Sequence, residues 1–217
     1  MFETLHFQNT TIKSMRQINP VKLKILIIFI LILISSTSIY CQTNKTFAQK
    51  LSEEAVELTK VRVVYDPTYR TIDYPNGDVP SNTGVCTDVL IRAYRKLGID
   101  LQKDVHEDMS KNFRLYPKNW GLIKPDRNID HRRVPNLMVF FSRFGETLAI
   151  SQNSSDFTTG DIVAWDLGGG LTHIGIVIDQ KSSDGKRNLI VHNIGNGQEI
   201  SDCLFSYTII GHYKYPK

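Results

Sequence analysis

The chain has 217 residues, 41% of them apolar and 22% charged, a balance that suits a globular core and excludes a disordered tail or a collagen-like repeat. The formal charge of +4 is concentrated at the start: residues 1–41 hold Lys13, Arg16, Lys22 and Lys24 against Glu3, which leaves 22 positive and 21 negative groups for the remainder. A net charge near +1 exerts no general pull on a polyanion, so nucleic acid is not an expected partner.

From Ile25 to Ile34 every residue is Ile, Leu or Phe, with Lys22 and Lys24 before the run and Ser35-Ser36-Thr37-Ser38 after it. A charged start, a short apolar centre and a small polar exit make a secretory signal, whereas a membrane-spanning helix needs about 20 apolar residues. Met15 offers a conventional start for such a signal. Cys41 invites a lipid anchor, but Tyr40 is bulky where lipoprotein processing wants a small residue, so ordinary cleavage after Cys41 fits better. The expectation is an exported protein, periplasmic or in the cell envelope, that meets the membrane only through residues 1–41 or a lipid on Cys41.

Beyond a polar leader, Thr46 to Lys60 predicts an amphipathic helix, with Phe47, Leu51, Ala55 and Leu58 on one stripe and a capping box between Thr46 and Gln49. Val61 to Tyr65 reads as extended and Asp66 to Asn82 as loop. A second helix is expected from about Gly84 to Leu97, capped by Thr83 and ended by Gly98, and a third from Asp100 through Asn112. Residues 113–131 read as irregular, and a fourth helix runs from about Arg132 to Phe144. After Thr159 the pattern changes. Strands are expected at Asp161–Trp165, Thr172–Asp179, Asn188–His192 and Phe205–Tyr213, joined by glycine-rich turns. Helices first and an antiparallel meander afterwards give an α+β fold.

Cys86 falls about three residues into the second helix, where free amides and the helix dipole favour a thiolate and lower its pKa. His173 opens a strand after Gly168-Gly169-Gly170 and suits a general base; His192 ends the next strand, where a hairpin lets one imidazole orient the other. Cys86, His173 and His192 thus form a candidate nucleophile, base and orienter. The plain alternative for Cys86 and Cys203 is a disulfide, and Cys203, with no histidine near it in sequence, otherwise reads as a quiet buried thiol. A zinc set of Cys86, His173, His192 and His212 lacks any HExxH or CxxC spacing, so no metal and no cofactor is expected. Asp104, His106, Glu107 and Asp108 read as a solvated helix face. Tyr65, Tyr74, Asp88, Arg132 and Arg133 are candidate substrate-contacting residues: a tyrosine to help hold an oxyanion, a guanidinium to meet a substrate carboxylate.

Gly160-Asp161-Ile162-Val163 followed by Thr172-His173-Ile174-Gly175-Ile176-Val177 resembles the first two strands of the NlpC-type cell-wall cysteine peptidases. The cysteine motif departs from theirs, reading Gly84-Val85-Cys86-Thr87-Asp88 where they usually have Asp-Cys-Ser-Gly. Tyr65-Asp66-Pro67, Tyr74-Pro75-Asn76-Gly77-Asp78-Val79-Pro80, Thr83 to Arg92, Ile129 to Leu137, His192-Asn193-Ile194-Gly195 and Gly211-His212-Tyr213 resemble, more closely, the bacterial envelope family catalogued as domain of unknown function 1287. The resemblance implies a papain-like, NlpC-type fold with N-terminal helices on a C-terminal antiparallel sheet. Residues 1–41 would then be signal, 42–60 leader and helix, and 61–217 the catalytic domain. It also implies a cysteine peptidase or amidase acting on peptidoglycan stem peptides or another amide substrate. An acyltransferase or transpeptidase on the same fold, and a non-catalytic wall-binding module, are the alternatives.

Overall fold

The computed structural model describes residues 19–25, 27–28 and 44–217. It divides into two units, Met1–Asn44 and Lys45–Lys217. Of the first, residues 20–25 and 27–28 are helical. Met15, Cys41 and most of the apolar run lie outside the described residues.

The second unit opens with helix α1, Phe47–Leu58, and the expected capping box is in place: Thr46 Oγ1 accepts from the Gln49 amide at 3.2 Å and Gln49 Oε1 accepts from the Thr46 amide at 2.9 Å. Leu51 and Ala55 are fully buried, and Ser52 Oγ accepts from the Asp179 amide at 2.9 Å. The helix expected as a leader is therefore part of the folded body, which begins at Lys45 and not at residue 61.

Strands β1, Val64–Tyr65, and β2, Thr83–Gly84, form a short parallel pair. This pairing corrects the start of the next helix. With Thr83 and Gly84 held in a strand, α2 runs Cys86–Lys96 with Val85, not Thr83, at its cap. Cys86 is thus the first helical residue and not the third. Val85 has no side chain that can cap, so Asp88 reaches back and accepts from the Val85 amide at 2.7 Å. Helix α2 is the centre of the molecule: Val89, Leu90, Ala93 and Tyr94 are sealed from solvent. Helix α3, Leu101–Asn112, is capped by Asp100 as expected, its side chain accepting from the Lys103 amide at 3.2 Å. Its acidic face is only partly solvated, a correction to the sequence reading: Asp108 is buried and takes Tyr116 Oη at 2.6 Å and Arg143 Nε at 2.7 Å. Burial of that carboxylate needs both partners. A 3₁₀ turn, Asp130–Arg132, precedes α4, Val134–Phe144.

Strands β3 (Glu146–Thr147), β4 (Ile162–Asp166), β5 (Thr172–Lys181), β6 (Asn188–His192), β7 (Glu199–Ser201) and β8 (Thr208–Lys214) form one antiparallel sheet in the order β3-β8-β4-β5-β6-β7. The meander expected from sequence holds from β4 to β7, a short strand that sequence reading missed. The last strand departs from it, crossing back to flank β4. The reason is visible in β4 itself: Ile162, Val163, Ala164 and Trp165 are all 0% exposed, so this strand is covered on both faces and needs a neighbour on each side.

Alternation along β5 sorts the two faces. Ile174, Ile176 and Ile178 pack with α1, α2 and α4 in one core, while Val163, Trp165, Val177, Ile190, Leu204 and Cys203 make a second core on the opposite face. Each sealed aliphatic or aromatic side chain contributes about 1.5–3 kcal/mol of transfer free energy, so both layers count. Gly175 lets β5 and β6 close up: a Cβ there would lie 2.7 Å from Ile190 Cγ2 and 3.2 Å from His192 Cβ.

Candidate active site

His173 follows the odd positions of β5 onto the second face, opposite Trp165, with ring centroids 5.8 Å apart. His192, at the end of β6, lies on the same face, and the two imidazoles meet: His173 Nε2 to His192 Nδ1 is 2.8 Å. His192 Nε2 continues the chain to Ser201 Oγ on β7 at 2.6 Å. When Ser201 accepts from His192 Nε2–H, His192 Nδ1 must accept from His173 Nε2–H, and the lone pair of His173 Nδ1 is left for a proton. Burial, with His192 alongside, pushes His173 down to about 3; burial alone takes His192 to about 4. Both rings are neutral at neutral pH.

Cys86 reaches the sheet from the other side, at the edge of β5. Val177 exchanges hydrogen bonds with Gly160 and Asp161 on the β4 side, so Ile174, three residues earlier, points its amide toward β6. The register pairs Ile176 with Val191, and the partner of Ile174 would be Asn193, but β6 has ended at His192. That amide, left without a strand partner, lies near the Cys86 sulfur and favours its thiolate. Asn193, fully buried, donates its side-chain amide to Gly84 O at 3.1 Å and so ties the end of β6 to the residue two before the thiol. Cys86 therefore lies against the backbone of the residue next to His173.

The thiol itself departs from expectation. Burial pushes Cys86 up to about 12. The amides of Ile174, Thr87 and Cys86 pull the other way, as a helix N-terminus should, but desolvation of the thiolate outweighs them and the nearby Asp88 carboxylate adds to the rise. At rest Cys86 is a thiol and His173 a neutral imidazole. Cys203 is a free buried thiol too, so the disulfide alternative fails. It lies on the second face, 3.7 Å from His192 Nε2, a proximity the sequence did not reveal.

The remaining candidates divide. Tyr65 lines the cleft at Cys86, and burial together with the sulfur's and Asp88's charge raises its phenol. Tyr74 does not reach the cleft; it packs edge-on against His106, centroids 5.4 Å apart, under the Arg127 guanidinium. Asp88 is absent from the lining of that cleft, whereas Arg132 contributes to it. They form a buried bidentate pair, Nε–Oδ1 2.9 Å and Nη2–Oδ2 3.0 Å, beneath the first turn of α2. Arg132 O further accepts from Thr87 Oγ1 at 3.3 Å. Arg133, one residue on, lines the cleft with Trp120, Pro135, Leu171 and Thr172. His212 is apart from the other imidazoles, bonded to Asp161 Oδ2 at 2.7 Å. Sequence reasoning passed over Asn193, Ser201 and Gly175. Only Asn193 and Gly175 carried a signal, each lying within two residues of a candidate histidine.

The cleft at Cys86 has a volume of about 230 Å³. A larger one, about 570 Å³, lies between Tyr69, His106 and residues 121–128 and includes neither the thiol nor the paired imidazoles.

A family model described as a domain of unknown function (DUF1287) matches residues 52–215. The chain is 49% identical over 179 residues to a protein of Escherichia coli (strain K12) described as uncharacterized protein YijF, a match covering 82% of this chain and 86% of that one. Among solved structures, an N-acetylmuramoyl-L-alanine amidase from Bacteroides uniformis is similar over 76% of this chain and 96% of its own, with a TM-score of 0.42 at 15% identity.

Proposed function

We propose that this chain, which belongs to the DUF1287 family, is an exported, papain-like cysteine hydrolase that cleaves amide bonds in peptidoglycan stem peptides. One observation carries the reading: an imidazole pair, His173–His192 at 2.8 Å, beside the strand amide against which the Cys86 sulfur rests. An imidazole whose one nitrogen is held by hydrogen-bonded support keeps the other for proton transfer, the role a thiol nucleophile requires of a base.

With the thiol protonated and the imidazoles neutral, the first step is general-base attack and not attack by a preformed thiolate. The Cys86 S–H proton passes to His173 Nδ1 as the sulfur bonds to the scissile carbonyl carbon. The oxygen takes the negative charge, and the Cys86 amide at the open end of α2, with the Tyr65 hydroxyl, stabilises it. His173 then returns the proton to the leaving amine as the C–N bond breaks. Water, deprotonated by the same imidazole, hydrolyses the thioester and regenerates the thiol. His192 and Ser201 hold the tautomer that keeps Nδ1 free.

The substrate class rests on the signal-like segment at the start of the chain. Outside the inner membrane the wall is the most abundant peptide-crosslinked polymer. Digestion of purified muropeptides tests the reading: the wild-type chain should release new amine termini, and Cys86→Ala should lower the rate by about 10⁴ or more. Equal product from both proteins would remove Cys86 as nucleophile.

A further inference from the structure

A proton taken up by His173 makes a cation in a dry place. His173 and His192 are both buried, and the face they share carries Trp165, Val163, Val177, Ile190 and Leu204. Burial alone holds His192 down at about 4, so a positive charge on either ring needs compensation. The edge of the sheet supplies it. Across β6 and β7, His192 pairs with Glu199 and Ile190 with Ser201. Directly opposed residues share a face, so Glu199 and Ser201 stand beside the imidazole, while Ile200 between them turns to the first core. Glu199 Oε1 lies 3.8 Å from His192 Nε2, and Ser201 Oγ lies 2.6 Å from the same nitrogen. Because β7 is an edge strand, the Glu199 side chain is 38% exposed, and it has no other ion pair among the described residues.

Among the described residues Glu199 carries the one carboxylate within ion-pair distance of either imidazole. The other polar groups that face His192 are neutral: His173 from β5, Ser201 from β7 and the Cys203 thiol at 3.7 Å. Burial raises that thiol, and the charges of Asp202 and Glu199 add to the rise, so the field of Glu199 reaches the nook that holds His192 Nε2. Asp202 is itself taken by Arg187 through a two-point ion pair. From β4, Trp165 offers His173 an indole ring and no charge. At rest His192 is neutral, and Glu199 has no cation to bind there. A positive ring at this distance would give it an ion pair, weakened but not abolished by its partial exposure.

We infer that Glu199 is the counter-ion of the imidazole pair: as the Cys86 proton reaches His173 Nδ1, the His173 Nε2 proton passes to His192 Nδ1, and the positive charge settles on the ring that faces Glu199. His173 is then neutral, with its hydrogen on Nδ1. When the leaving amine takes that hydrogen, His192 Nδ1 gives one back to His173 Nε2, and both rings regain their first tautomer. Glu199 touches no reacting atom; it is a positioning residue that acts through His192. The inference rests on the hydrolase reading above and concerns the same site. The test uses the full chain and p-nitrophenyl acetate, whose leaving group departs as an anion, so that acyl transfer to Cys86 needs only the base. Stopped-flow nitrophenolate release at neutral pH should show a burst, with acetyl-Cys86 found by peptide mass. Glu199→Gln should slow the burst about ten-fold, and Glu199→Asp should restore it to within about three-fold of wild type. In mixtures of light and heavy water the wild-type rate should fall along a curve, the mark of two protons in motion. Glu199→Gln should give a straight line, the mark of one, whereas loss of a merely structural residue would leave the curvature in place. Equal burst rates in wild type and Glu199→Gln, a curve that persists in that variant, or a straight wild-type line overturns the inference and leaves Cys86 as nucleophile; the last requires no variant to fold. Absence of acetyl-Cys86 in the wild-type chain overturns the hydrolase reading, and this inference with it.

Discussion

His173 and His212 lie on the two strands that flank β4, and both are almost fully buried. Their surroundings differ. His212 has both ring nitrogens engaged, Nε2 with Asp161 Oδ2 at 2.7 Å and Nδ1 with Ala149 O at 3.2 Å, and its ring stacks on Phe157 at 4.3 Å. That imidazole is a strut joining β8 to the start of β4. His173 has one nitrogen fixed by another imidazole, which is itself backed by the Ser201 hydroxyl at 2.6 Å, with the Glu199 carboxylate farther off at 3.8 Å from His192 Nε2. A buried histidine bound to a carboxylate is locked on both sides. One bound to a neutral ring keeps a basic nitrogen without a permanent charge beside it. The contrast teaches that availability for chemistry is set by the partners a histidine lacks as much as by those it has.

Exchanging the roles is the strongest way to break this contrast. His173→Ala should reduce turnover of the muropeptide substrate by about 10³–10⁴ with little change in denaturation midpoint, since a general base is worth roughly 10²–10⁴ and its orientation adds to that. His212→Ala should do the opposite. It leaves the buried Asp161 carboxylate with the Thr158 amide at 2.8 Å and hydroxyl at 3.1 Å, and Lys214 Nζ at 3.8 Å as its one cationic neighbour among the described residues, which should cost about 3 kcal/mol of stability in urea titration while turnover per folded molecule is kept. If His212→Ala abolishes turnover of a protein that remains folded, the distinction between strut and base is wrong.

A smaller effect sharpens the geometry. Gly175→Ala places a methyl group against Ile190 Cγ2 at 2.7 Å, Val191 O at 3.0 Å and His192 Cβ at 3.2 Å, so β6 must move away. The expected cost is about 1–3 kcal/mol of stability, with a fall in kcat/KM greater than that of a matched overpacking substitution in the Ile178 layer. Equal losses would mean that the spacing of β5 and β6 does not set the imidazole pair.

The mildest probe follows the thiol. Because burial holds Cys86 at about 12, deprotonation is the uphill step throughout the accessible range. Alkylation by iodoacetamide should therefore be slow at pH 7 and quicken about ten-fold for each pH unit up to pH 10, the slope of a thiol titrating well above the solution pH. A rate that levels off below pH 8 would instead reveal a thiolate stabilised by its neighbours, and a resting thiolate–imidazolium pair.

Much of this was legible in the residues, and what was not has physical causes. Thr46, Asp100 and the apolar alternation of β5 act locally, so the elements they define sit where periodicity places them. The start of α2 was misplaced because Thr83, a good cap in isolation, is drawn into a parallel pairing with β1 across a long loop. The return of β8 to β4 was missed because strand order depends on which strand is covered on both faces, a property of packing. Among the site residues, His173 and His192 could be singled out by their positions on successive strands. The fates of Asp88 and Arg132 could not, since they pair 44 positions apart. The direction of the thiol's shift was misjudged because a helix end and a dry surround oppose one another, and sequence reports only the first.

The Asn193 tether to Gly84 has a mechanical consequence. The end of the His192 strand and the approach to the thiol are laced together from within, so the two halves of the site cannot part to admit a polymer without breaking a sealed amide contact. Entry must come from the open rim, where Trp120 and Leu171 stand 59% and 66% exposed, along a lip that leads into a slot that keeps its shape.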